Sequence, residues 1–186
     1  MPIRDATALL LEWRGGNRAA VDDLFPLIYD ELRRRARRSL RRQPEGHTLT
    51  TTALVHEVYI KLIDVKRVPA EDRSHFLALA ATAMRHVLVS YARRHWAAKR
   101  GGGRIPLSLD DAPPLTTERA EQLVAIHEAL DKLAKLNARL SRTVELRFFG
   151  GMTVEEVAEA LDLAPSTVKL DWQKAKVWLY HELRGS

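Results

Sequence analysis

The stretch from Thr153 to Leu183 constrains this chain most, because it reads as a short helix, a tight turn and a longer helix. In T-V-E-E, Thr153 can cap the first helix and Glu156, three residues on, can return a hydrogen bond to the cap's own N–H, which makes a capping box. Val154, Val157, Ala158 and Leu161 then form an apolar stripe, and Glu155, Glu156 and Glu159 are expected to face away from it. Asp162 occupies the turn, where positive φ makes Gly the easier choice, although Asp tolerates the left-handed region better than most residues. Pro165 suits the first position of the second helix, since its missing N–H would have had no intrahelical partner there. Along that helix Val168, Trp172, Ala175, Leu179 and Leu183 recur at three- and four-residue steps, leaving Ser166, Lys169, Leu170, Gln173 and Lys174 opposite. A helix pair of this kind can lay its second member in the major groove of DNA. Two amphipathic helices of an ordinary bundle with a solvated basic face would read the same way, so the rest of the chain has to decide.

The chain has no cysteine, which excludes disulfides and thiolate metal sites and is compatible with a reducing cytoplasm. No apolar run approaches membrane-spanning length, and M-P-I-R-D opens no signal-type apolar core, so a cytoplasmic protein without membrane insertion is expected. The net charge of +6 suggests a polyanionic partner. It is unevenly spread: residues 1–118 carry 20 Lys+Arg against 14 Asp+Glu, whereas residues 119–186 carry 10 of each. All of the excess therefore lies away from the helix-turn-helix.

Helical periodicity runs through the remainder. Leu9, Leu10 and Trp13 mark a short first helix stopped at Gly15 and Gly16. From Arg18 to about Arg42, Val21, Leu24, Phe25, Ile28, Leu32, Ala36 and Leu40 hold a helical period, with Pro26 as the one place it could bend. Seven arginines load its second half, either as a solvated face or as backbone contacts to nucleic acid. Ala53 to Asp64 buries Leu54, Val58 and Leu62 and keeps His56, Glu57 and Lys61 outside. A segment from Ser74 to about Lys99 contains neither Pro nor Gly and ends in Arg93, Arg94, Trp96, Lys99 and Arg100. Cations interleaved with a ring suit single-stranded nucleic acid, although a helix C-terminus favours cations for its dipole alone. Residues 101–118 are rich in Gly and Pro and read as a flexible linker, followed by helices around Leu123 to Leu133 and Leu140 to Phe148. No segment alternates as a strand does, so the fold expected is all-α: two small helical domains, residues 1–100 and 119–186, each of four helices, with the linker between.

Enzyme chemistry finds no foothold. There is no phosphate-binding loop, H-E-x-x-H or G-x-S-x-G, and Gly101 to Gly103 precede no strand-to-helix turn. His56 with Glu57, or His127 with Glu128, could be acid and base, yet adjacent helical residues point in different directions.

With both halves in view the chain resembles an RNA polymerase sigma factor of the extracytoplasmic-function (ECF) group, from about Leu9 to Arg184. The resemblance is carried by E-L-R-R-R-A-R-R from Glu31, T-T-T-A-L-V-H-E-V-Y-I-K-L from Thr50, H-F-L-A-L-A-A-T-A-M-R from His75 and A-A-K-R-G-G-G from Ala97. V-E-L-R-F-F-G-G-M-T-V-E-E-V-A from Val144 and S-T-V-K-L-D-W from Ser166 complete it. It implies core RNA polymerase and promoter DNA as partners, no cofactor, no metal and no catalytic residues; a dedicated anti-sigma factor is left open. The first domain would dock on the polymerase clamp helices through His56, Glu57 and Lys61, and would read and melt the -10 element through Arg85, His86, Ser90, Arg93, Arg94, Trp96 and Arg100. The second would hold the beta flap and read the -35 element with Ser166, Thr167, Lys169, Leu170, Gln173 and Lys174.

The sequence departs from the family pattern at His86, often Asn, at Ser90, often Asp, at Leu170, often Arg, and at Asp162, usually Gly. A ring at 86 can stack on an extruded base where an amide would pair with it, and Leu170 can meet a thymine methyl where Arg would meet guanine. The competing class is a homodimeric helix-turn-helix regulator that binds paired half-sites without polymerase, which a palindromic footprint would reveal.

Overall fold

The computed structural model of the protein describes residues 5–42, 50–64, 72–101 and 117–185. The described residues are mainly helical, and no strand occurs among them. The first half comprises α1 (Ala6–Arg14), α2 (Ala20–Arg42), α3 (Thr51–Ile63) and α4 (Arg73–Gly101). The second comprises α5 (Thr117–Leu136), α6 (Ala138–Val144) with a π-helical turn (Glu145–Phe149) at its end, α7 (Val154–Leu161) and α8 (Pro165–Arg184). Residues 102–116 of the expected linker lie outside the described residues; α4 and α5 reach into its two ends.

The periodic residues are the ones buried. Leu9, Leu10 and Trp13 of α1 meet Leu24, Ile28 and Leu32 of α2 in one core with Leu54 and Val58 of α3 and Phe76, Met84 and Leu88 of α4. Thr50 caps α3 by accepting from the Ala53 N–H at 3.1 Å. α2 continues through Pro26, whose exposed ring forgoes only one ladder bond.

Along α4 the sequence shows one core face, but the helix has two. Residues 76–89 contain only Thr82, Arg85 and His86 as polar side chains, and a helix apolar nearly all round is enclosed on more than one side. The second face receives the second half of the chain. Ala78 and Ala81 join Leu146, Met152, Val157 and Val168 in a small cluster of their own, while Leu123, Leu130 and Leu133 of α5 extend the main core. The two halves therefore share buried surface instead of standing apart.

Gly150 and Gly151 do more than end the preceding helix, which is all their sequence position suggests. A Cβ on Gly150 would lie 2.4 Å from the Ala81 Cβ, and one on Gly151 would lie 2.3 Å from the Arg35 carbonyl oxygen. Gly151 also has φ +59, the left-handed region that disfavours a side chain. The pair lets backbone approach α2 and α4 at a distance no larger residue allows.

Candidate nucleic-acid interface

The pair α7 and α8, with the turn between them, is built locally as its sequence dictates. Thr153 Oγ1 accepts from the Glu156 N–H at 3.2 Å and Glu156 Oε2 accepts from the Thr153 N–H at 2.7 Å, closing the capping box. Asp162 takes φ 52 and ψ 52, the left-handed geometry of the turn, and its N–H reaches the Glu159 carbonyl. Pro165 starts α8.

On α8, Val168 and Ala175 are fully buried, and Ser166, Lys169, Leu170, Gln173 and Lys174 are exposed on the opposite side, with Thr167 half-buried beside them. Trp172 is not wholly in the core: the Arg147 guanidinium lies 4.6 Å from its ring centroid and the Lys176 ammonium 6.0 Å. Burial holds the Arg147 pKa below its usual value, against the pull of Glu155. Leu183, expected inside, is 39% exposed because the helix outruns the core that covers it. A groove of about 770 Å³ runs beside Leu170, Gln173, Lys174, Val177 and Trp178.

One residue that places α8 is easily passed over in the sequence. Asp171 is only 1% exposed and takes a bidentate grip from Arg139 at the start of α6, Nε to Oδ2 at 2.7 Å and an Nη to Oδ1 at 3.1 Å. The signal was there: Asp171 sits three residues after Val168 and four before Ala175, in core register.

Of the residues expected on the -10 element, His86, Ser90, Arg93 and Arg94 are exposed and share one face of α4. Trp96 is half-buried against the core edge, and Arg100 lies in the last turn of α4 with its side chain outside the described residues. Arg85 differs. Instead of facing outward it is 8% exposed and enclosed by the second half of the chain. Its Nε donates to His127 Nδ1 at 2.9 Å, and its Nη atoms reach the His127 carbonyl at 3.0 Å, Asp131 at 2.6 Å and Glu145 at 3.3 Å. In this arrangement four of the guanidinium's five N–H donors are taken by protein acceptors, and the side chain is held against the second half of the chain.

A second polar group crosses between the halves. Glu156, expected to face solvent, caps α7 and also pairs with Arg35 at 3.1 Å and Arg38 at 3.5 Å. Arg35, read as one cation of a basic run, is 2% exposed and also bonds Glu31 at 2.7 Å, where it and Arg73 lower the Glu31 pKa against the opposing effect of burial. Arg33, Arg34 and Arg37 stay exposed.

On α3, His56, Glu57 and Lys61 are exposed. Between them stands Ile60, 48% exposed, which sequence reasoning passed over.

No group of His, Asp and Glu suited to holding a metal ion occurs among the described residues, and none of their helices is long and apolar enough to cross a membrane. No curated protein matches the chain. The family model described as ECF sigma factor matches residues 3–185.

Proposed function

The chain belongs to the ECF sigma factor family, whose members act in transcription initiation with RNA polymerase on promoter DNA, and from that premise we propose a division of labour among its surfaces. Residues 1–100 bind core polymerase and open the -10 element, and residues 119–186 read the -35 element through α8. The observation that supports this most is the outward face of α8: Lys169, Gln173 and Lys174 stand clear of the core while Val168, Asp171 and Ala175 fix the helix from behind. Leu170, 49% exposed beside them, offers a methyl contact to thymine in place of a cation. On α3, His56, Glu57, Ile60 and Lys61 form the polymerase-clamp contact, and on α4 the exposed His86, Ser90, Arg93 and Arg94 follow the melted strand.

Retention on immobilised core polymerase followed by run-off transcription tests the reading as a whole. Failure to retain core polymerase, or a symmetric footprint from the chain alone, rejects it in favour of a free dimeric regulator. The recognition face has its own test. Lys169→Ala and Lys174→Ala are expected to weaken binding to all promoters alike and to reduce the salt slope by about 1 each, if they meet phosphate. Gln173→Ala should instead lose about 1–3 kcal/mol at a single base position. Promoter binding unchanged in all three variants would place the recognition face elsewhere.

A further inference from the structure

One of the polar clusters that cross between the two halves has a chemistry unusual for a static core. Arg85 of α4 enters a recess formed by His127 and Asp131 of α5 and Glu145 of the π-helical turn. Arg142 of α6 seals the same recess: it bonds Glu145, donates to Thr82 Oγ1 at 2.6 Å and reaches the Ala78 carbonyl at 3.1 Å. Two cations thus face two carboxylates, and the balance holds only while the imidazole is neutral. Because Arg85 Nε is a donor, His127 Nδ1 must be an acceptor, which assigns the proton to Nε2 on the side of Asp131, 3.6 Å away.

We propose that Arg85, His127, Asp131 and Glu145 form an acid-released latch, in which protonation of His127 unseats Arg85 and lets the second half swing away from α4. A proton on Nδ1 would replace the 2.9 Å acceptor contact by two donors facing each other and would put a third cation into a recess with two carboxylates. The charged and titratable groups around the ring are Arg85, Arg93 and His86 on α4 and Asp131 on α5 itself, with Glu145 and Arg142 behind Arg85. Asp131 favours the protonated ring, but its side chain is 58% exposed and already committed to Arg85.

Burial of the ring lowers the His127 pKa in the closed form, and Arg85 lowers it further. A base whose pKa is depressed in one state is bound less tightly by protons there, so acid favours the other state. The closed form is therefore fully favoured above the ordinary histidine value of 6.5 and loses ground as pH falls below it. Opening returns Arg85 to solvent beside the exposed His86 and Ser90, on the helix expected to follow DNA; this last step rests on the sigma-factor reading, while the latch itself does not.

Since the chain has no native cysteine, Asp30→Cys and Lys135→Cys, both at exposed positions, allow a single label pair to report the separation of the halves in the free protein. The labelled chain should hold one short distance at about pH 7.5, and the open-to-closed ratio should rise by up to about tenfold per pH unit below about 6.5, with helix content unchanged by circular dichroism. His127→Asn keeps an acceptor near the Nδ1 position and cannot be protonated, so it should stay closed down to about pH 5.5, whereas His127→Lys should be open at about pH 7.5. A wild-type distance that does not move between those pH values, a chain open at both, or a His127→Asn variant that opens with the wild type overturns the latch. None of these outcomes involves polymerase or a promoter, so the sigma-factor reading stands or falls separately.

Discussion

Gly151→Ala is expected to drive the two halves of the chain apart while leaving their helices intact. The new Cβ would lie 2.3 Å from the Arg35 carbonyl oxygen and 3.0 Å from both the Arg38 Cβ and the Ser39 nitrogen, and all three belong to α2. A clash with backbone cannot be relieved by turning a side chain, and the left-handed φ of +59 adds about 1 kcal/mol of its own. The total should reach about 3 kcal/mol or more, a shift of about a hundredfold in the closed population. Separation is the cheapest escape, because every opposing atom lies across the boundary. Label pairs at positions 30 and 135 should report the longer distance at neutral pH, and circular dichroism should be unaltered. Gly16→Ala is the control: Gly16 has φ +101 but nothing within 4 Å of its would-be Cβ, so it carries strain without an interface. If Gly151→Ala keeps the short distance, the close approach of the backbone at Gly151 to α2 is not what closes the molecule.

Arg139→Ala is expected to cost about 2–3 kcal/mol of stability and to abolish the -35 binding proposed for α8, although Arg139 itself lies behind the proposed recognition face. Its removal strands the Asp171 carboxylate, 1% exposed, without either of its charge-assisted hydrogen bonds. The cost stays below that of a fully buried pair because the Arg139 side chain is 52% exposed, so water can enter once it is gone. Removing both partners separates the two consequences. Arg139→Met with Asp171→Leu should recover most of the stability, since an apolar pair leaves no unpaired charge. If promoter binding also returns, the ion pair serves only to fill the space; if stability returns without binding, the bidentate geometry sets the angle of α8. Equal losses in the single and double variants would show that Arg139 does not hold Asp171 at all.

The helices, their caps and the outward face of α8 were legible in the sequence because each follows from neighbours within one or two turns. Thr153 with Glu156, Asp162 at positive φ and Pro165 at the head of α8 are local rules, and the three- and four-residue spacing of Val168 and Ala175 fixes which side faces out. The exposed positions of His56, Glu57 and Lys61 on α3 followed in the same way from the burial of Leu54, Val58 and Leu62. Family membership was equally legible, since motifs distributed from Glu31 to Trp172 carry it and the family match covers residues 3–185.

Only the tertiary structure decided which partners several of the polar helix residues meet. Arg85, Asp171, Arg35 and Glu156 each sit on a helix beside apolar neighbours, and periodicity assigns such residues a face without naming a partner. Their partners lie far along the chain: Arg85 meets Asp131 and Glu145, Asp171 meets Arg139, and Arg35 meets Glu156. A charge is tolerated out of water only where an opposite charge meets it in space, and that meeting is a property of how helices pack. Sequence spacing therefore determined which surfaces could face DNA and polymerase, and packing decided that Arg85 is held against the second half of the chain in this arrangement.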